Sequence, residues 1–90
     1  MSQTERQKNI MGTAMLLKTA KATHEALARA DREEEAAYTA FAFGPTLFSP
    51  GTPQEAAWAE NRRCFLAAKA TLVAAKAADE AAWSAVVAAA

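Results

Sequence analysis

The sequence predicts an all-α fold in which two long antiparallel helices form a hairpin. Alanine, the strongest helix former, is the most frequent residue of the 90-residue chain. All three prolines and two of the three glycines fall between residues 43 and 53, where they separate two long segments. Each long segment repeats apolar residues every seven positions, which is typical of coiled-coil packing with an alanine-rich seam.

The first segment begins with a helix-start signal. Ser2 and Glu5 have the spacing of a capping box, in which each side chain satisfies a free backbone N–H group. We expect a helix from about residue 3 to about residue 42. A break within the charged run Asp31–Glu35 is the alternative, and it would give a three-helix bundle.

The second segment begins with a stronger signal. Thr52 is a capping residue, Pro53 stands at the first helical position, and Glu55 follows three residues after the cap. We expect an apolar Gly/Pro turn over about 43–52 and a helix over about 53–88, so that residues 1–90 make a single helical-hairpin domain.

The seven-residue repeat predicts which residues line the seam between the helices. In the second helix, the seam is expected to contain two rows: Trp58, Phe65, Leu72, Asp79 and Val86, and, three residues after each, Asn61, Ala68, Ala75, Ala82 and Ala89. In the first helix, the corresponding rows are: Ile10, Leu17, His24, Asp31 and Tyr38, and Thr13, Ala20, Leu27, Glu34 and Phe41.

Charged residues near the predicted seam suggest an interhelical polar cluster. If the turn is centred near residues 47–48, residues 61–64 lie opposite Asp31–Glu35. This register predicts ion pairs between three acidic and two basic residues, with Arg62–Glu35 as the flanking pair: Asp31, Glu34, Glu35, Arg62 and Arg63.

Two groups of apolar residues fall outside the predicted seam. Phe43, Leu47 and Phe48 lie in the turn, and Leu66, Val73 and Val87 form a second row on the second helix. A two-helix hairpin buries only one stripe per helix, so both groups are candidate partner-binding residues. We therefore expect the hairpin to join a larger helical bundle, either as a homo-oligomer or by docking on another protein.

Several kinds of chemistry find little support in the sequence. A formal net charge of zero argues against a dedicated nucleic-acid binder, although Arg62, Lys69 and Lys76 recur along one flank and leave a nucleic-acid-associated protein as the alternative function. Cys64 and His24 are too few ligands for a structural zinc site, and no motif for catalysis or a cofactor is present. We expect no enzyme activity, no metal, no cofactor and no membrane span.

The plan of a helical hairpin of about 90 residues resembles the small hairpins of type VII secretion. Those proteins carry Trp-x-Gly at the turn, whereas this turn reads Phe43-Gly44-Pro45, so the resemblance carries over no residue roles. The short, alanine-rich composition is also similar to that of small phage-encoded proteins, including virion components and inhibitors of host defence. The sequence thus predicts a non-enzymatic protein–protein interaction module, either a structural assembly subunit or a small inhibitor, in the cytoplasm or in a virion.

Overall fold

The computed structural model of the chain is a hairpin of two antiparallel α-helices. It describes the backbone of residues 3–90 and the side chains of residues 11–90. Helix α1 spans Gln3–Phe43 and helix α2 spans Pro53–Ala89, and the described part of the chain contains no strand. The predicted all-α hairpin is confirmed. Because α1 continues through Asp31–Glu35, the alternative three-helix bundle does not form; the Ser2–Glu5 capping box lies outside the described residues.

The start of α2 has the capping arrangement that the sequence predicts. Thr52 is extended (φ −89°, ψ 161°), and its Oγ1 accepts a hydrogen bond from the Glu55 N–H group at 3.4 Å. The Glu55 carboxylate accepts in turn from the N–H group of Gly51, whose φ of +78° lies in the left-handed region that favours glycine. Thr52 Oγ1 also donates to the Ser49 carbonyl at 2.7 Å. These bonds fix the direction in which α2 leaves the turn.

The seam of α2 contains the residues that the heptad pattern predicts. Leu72 is buried, and Ala89 at the helix end is exposed. The other members of the two rows are half-buried: Trp58, Asn61, Phe65, Ala68, Ala75, Asp79, Ala82 and Val86.

The seam of α1 differs from the prediction in one of its two rows. Thr13, Ala20, Leu27, Glu34 and Phe41 are half-buried or buried, as expected. The second row is Leu16, Thr23, Ala30 and Ala37, each one residue before the predicted Leu17, His24, Asp31 and Tyr38. Leu17 is also half-buried, and the side chain of the predicted Ile10 lies outside the described residues. His24, Asp31 and Tyr38 are exposed on the flank, whereas Ala30 keeps only 4% of its surface exposed. The small residues lie in the seam because they let the two helix axes approach closely.

The register between the helices is also shifted from the predicted one. Asn61 Nδ2 donates to the Ala40 carbonyl at 3.2 Å, and Thr23 Oγ1 donates to Asp79 at 3.2 Å. These pairs place about residues 66–71 of α2, rather than 61–64, opposite Asp31–Glu35. The shift arises at the turn, where the Phe41 ring lies 6.1 Å from Trp58 and 5.7 Å from Phe65. Because Trp58 packs beside Phe41, the first residues of α2 extend along the hairpin axis past the level at which α1 ends.

Candidate functional site

Phe43 at the end of α1 and the turn that follows it, residues 44–52, form an exposed apolar surface that we call the tip. Phe43 is 83% exposed and Leu47 is 94% exposed. Phe48 is only 36% exposed, because its ring packs on Trp58 with a centroid distance of 5.5 Å. Of the three predicted partner-binding residues in the turn, two therefore face solvent fully and one also contributes to local packing.

Close packing holds the tip against the helices. At Gly44, a Cβ atom would lie 2.3 Å from the Ala40 carbonyl oxygen and 2.8 Å from Asn61 Nδ2, so only glycine fits this approach. Asn61 satisfies the Ala40 carbonyl, which is one of the last four of α1 and has no partner within its own helix. A shallow cleft beside these contacts runs along one side of the tip; it is lined by Leu47, Phe48, Ser49, Thr52 and Gln54. The exposed Leu47 thus stands on a structured surface.

A second apolar surface runs along α2 and consists of Leu66, Val73 and Val87; we call it the α2 stripe. These side chains are 46%, 63% and 72% exposed, respectively. Each follows a seam residue by one position, which turns it about 100° away from the seam. Trp83, at 37% exposure, lies on the flank between the stripe and the seam. The structure leaves all three predicted stripe residues without cover.

The charged residues of the predicted interhelical cluster do not pair with one another. The described side chains form two salt bridges, His24–Asp79 at 3.5 Å and Arg63–Glu60 within α2. Neither contains an acidic residue of the Asp31–Glu35 run, since the shifted register moves that run away from Arg62 and Arg63. The hydrogen bond from Arg63 is the main cause that lowers the pKa of the exposed Glu60 carboxyl, and a hydrogen bond from Cys64 adds to it.

Sequence reasoning missed a polar cluster at the edge of the seam, formed by half-buried Thr23 and Asp79 with exposed His24. Asp79 is 13% exposed in its side chain and accepts from Thr23 Oγ1 at 3.2 Å, while His24 Nδ1 lies 3.5 Å from its other oxygen. Both Asp79 and His24 appear in the heptad rows, but their proximity depends on the true register. The Thr23 hydroxyl donates to Asp79 or to the Ala20 carbonyl, not to His24. The contacts of Thr23 and His24 with Asp79 link α1 to α2.

Few residues that could bind a metal lie near one another. Over the described residues, no group of three or more His, Cys, Asp or Glu side chains is close enough to hold an ion. Cys64 is a free and exposed thiol. Neither helix, within its described range, has an apolar stretch of the length needed to cross a membrane.

A shallow groove also follows the outer side of α1, with Met15, Thr19, Ala22 and Ala26 among its lining residues. Met11 and Met15 at this end are 68% and 64% exposed. The side chains along the groove are small or flexible, and no charged side chain other than Lys18 lines it. It is a third, weaker candidate surface.

Comparison with known proteins adds no assignment to these surfaces. No family model, no curated protein and no solved structure matches the chain.

Proposed function

We propose that the chain is a non-enzymatic protein–protein interaction module whose tip docks into a partner protein. The observation that carries this proposal is the exposure of two large apolar side chains, Phe43 at 83% at the end of α1 and Leu47 at 94% in the turn that follows. Large exposed apolar groups at one end of a fold are typical of interaction sites.

The construction of the tip supports this role. Phe48 packs on Trp58 and the Thr52 cap fixes the start of α2, so the two exposed side chains are presented from a supported base. The cleft next to Leu47 would accept a side chain of the partner. A structural assembly subunit and a small inhibitor would both use such a surface, because each works by binding and needs no reacting group.

Affinity capture with a tip variant tests the proposal. The wild-type chain, immobilised on beads and incubated with a lysate of its own source cells, should retain a partner protein. The double variant Phe43→Ala, Leu47→Ala should not retain it. The matched control is Thr39→Ala with Thr46→Ala, which changes two exposed polar residues at the same end of the hairpin that do not line the cleft. Circular dichroism should give the same helix content for all three proteins. Equal capture by the tip variant and the wild type would refute a role of the tip.

A further inference from the structure

The hairpin alone removes little surface from water. Among its described side chains only Ala20, Ala30 and Leu72 are buried, and two of these are alanines. The accessible surface is 6709 Å², about 1,650 Å² more than the roughly 5,050 Å² expected for a compact 9.5 kDa monomer. That excess is about twice the ~800 Å² that each partner contributes to a standard-sized interface. The hairpin therefore has enough uncovered surface for one complete interface of ordinary size.

Part of the uncovered apolar surface lies on one side of the hairpin, which we call the stripe face; Met11, Met15 and the tip lie outside it. It includes the α2 stripe, with Leu66 and Val73 near its centre. Tyr38 of α1 borders the same side, since its ring lies 5.6 Å from Phe65 and Lys69 Nζ lies 5.9 Å from that same ring. Both helices thus contribute to the stripe face.

The stripe face carries unpaired charges of both signs. The basic row Arg62, Lys69 and Lys76 lies on α2 beside the stripe, and Asp31 and Glu35 lie on α1 at the level of about residues 66–71. None of these five belongs to an ion pair among the described side chains. A partner surface whose charges all have one sign would be repelled by the charges of the same sign on this face. A second copy of the chain carries the same two signs and can match both.

We propose that a second copy of this chain covers the stripe face, related by a two-fold axis parallel to the long axis of the hairpin. This rotation places α1 of one copy against α2 of its partner in antiparallel orientation, as in a four-helix bundle. It also keeps each residue at its own level, so Asp31 and Glu35 face the partner's Lys69 twice in the dimer. A rotation that reversed the long axis would instead place the two basic rows against each other.

The proposed dimer extends the function proposed above. The dimer itself does not depend on that function, but the role given to its two tips does. Because the axis is parallel to the helices, both tips lie at the same end of the bundle. The dimer then presents two copies of Phe43 and Leu47 side by side, while the stripe face is buried.

Molar mass measured by sedimentation equilibrium tests whether the stripe face is the interface. The wild type should have twice the 9.5 kDa chain mass. Leu66→Glu with Val73→Glu should raise the dimer dissociation constant at least about a hundredfold, because burying these carboxylates without partners is costly. The matched control is Ala67→Glu with Ala74→Glu, which adds the same charges at exposed positions one residue further along α2 and should remain a dimer.

A charge-exchange experiment tests how the two copies are oriented in the dimer. It remains informative even if the variant Leu66→Glu, Val73→Glu fails to fold. The single variants Lys69→Glu and Glu35→Lys each place like charges in contact twice per homodimer, and each should dimerise about threefold to tenfold more weakly than the wild type. Mixing the two should recover most of the lost affinity through heterodimers, in which both contacts between positions 35 and 69 join opposite charges. Pairing within one chain would give no recovery, since each chain keeps its own like-charged pair.

Three results in combination support the proposal. The wild type forms a dimer, the stripe variant loses the dimer while its control keeps it, and mixing the two charge variants recovers affinity. A wild-type chain that stays monomeric at millimolar concentration overturns it, and so does a dimer that the stripe variant leaves intact. A dimer in which mixing gives no recovery overturns the proposed axis. These results are independent of the tip, because the variant Phe43→Ala, Leu47→Ala should lose partner capture and still dimerise.

Discussion

Replacing Gly44 with alanine should destabilise the hairpin, although alanine has a higher helix propensity than glycine. The added Cβ would lie 2.3 Å from the Ala40 carbonyl oxygen, where ordinary van der Waals contact begins at 3.4 Å. The overlap of about 1 Å involves backbone and cannot be relieved by a side-chain rotation, so the turn must move. Overpacking of this kind costs about 1–3 kcal/mol.

Two smaller contributions adjust that estimate. Moving the turn weakens the hydrogen bond from Asn61 to Ala40, which costs about 0.5–1.5 kcal/mol, while the loss of glycine freedom in the unfolded chain offsets about 0.4–1 kcal/mol. The net destabilisation is about 0.5–4 kcal/mol, with a middle value of about 2 kcal/mol. For a domain of this size each kcal/mol lowers Tm by about 4–8 °C.

The control for this prediction is Gly12→Ala. Gly12 lies inside α1 with nothing within 4 Å of the added Cβ, so this variant should stabilise the helix by about 0.5–1 kcal/mol. Thermal unfolding followed by circular dichroism at one fixed chain concentration compares the two variants. A Gly44→Ala protein as stable as the wild type would show that the turn does not pack as closely as the structure indicates.

Three further predictions concern the ends and the seam of the hairpin. Thr52→Ala should cost about 0.5–2 kcal/mol in denaturant unfolding because the α2 cap is lost, and an unchanged midpoint would contradict that role. Asp79→Leu should leave stability unchanged or raise it, because an apolar residue replaces a seam carboxylate; a loss of more than about 2 kcal/mol would show that the Thr23 and His24 contacts are net stabilising. Arg63→Gln should raise the Glu60 pKa towards its ordinary value of 4.5 in an NMR titration, whereas an unchanged pKa would exclude the pair in solution. Since the folded pKa is lowered, the pair stabilises the fold above the unfolded pKa and loses this effect as pH falls through the folded pKa.

The parts of the fold that depend on local signals could be predicted from the sequence. Thr52, Pro53 and Glu55 mark the start of α2 by their order alone, because a cap is made by residues within one turn. The α2 seam follows from the repeat of Trp58 and Leu72, whose large side chains leave one choice of face. Exposure of Leu47 and Val73 follows from their positions outside that seam.

The parts that depend on packing between the helices could not be predicted in the same way. In α1, the Thr13 row can be paired with the row of His24 or with that of Thr23, and the heptad repeat alone does not distinguish them. The centre of the turn is a poor guide to the register, because the observed register accompanies the packing of the Phe41 ring against Trp58 and Phe65. The Thr23–His24–Asp79 cluster was missed for the same reason.

The distance between the two tips in solution tests the central claim, that two hairpins bury their stripe faces with both tips at one end. A spin label at Ser49→Cys, in a Cys64→Ser background, places one probe on each tip, and double electron–electron resonance measures their separation. We predict a single distance of roughly 15–30 Å, set by interhelical spacings of 8–10 Å and the label arms. A distance close to the 73 Å length of the hairpin, or no dipolar coupling at a concentration where the chain should be dimeric, would contradict the account.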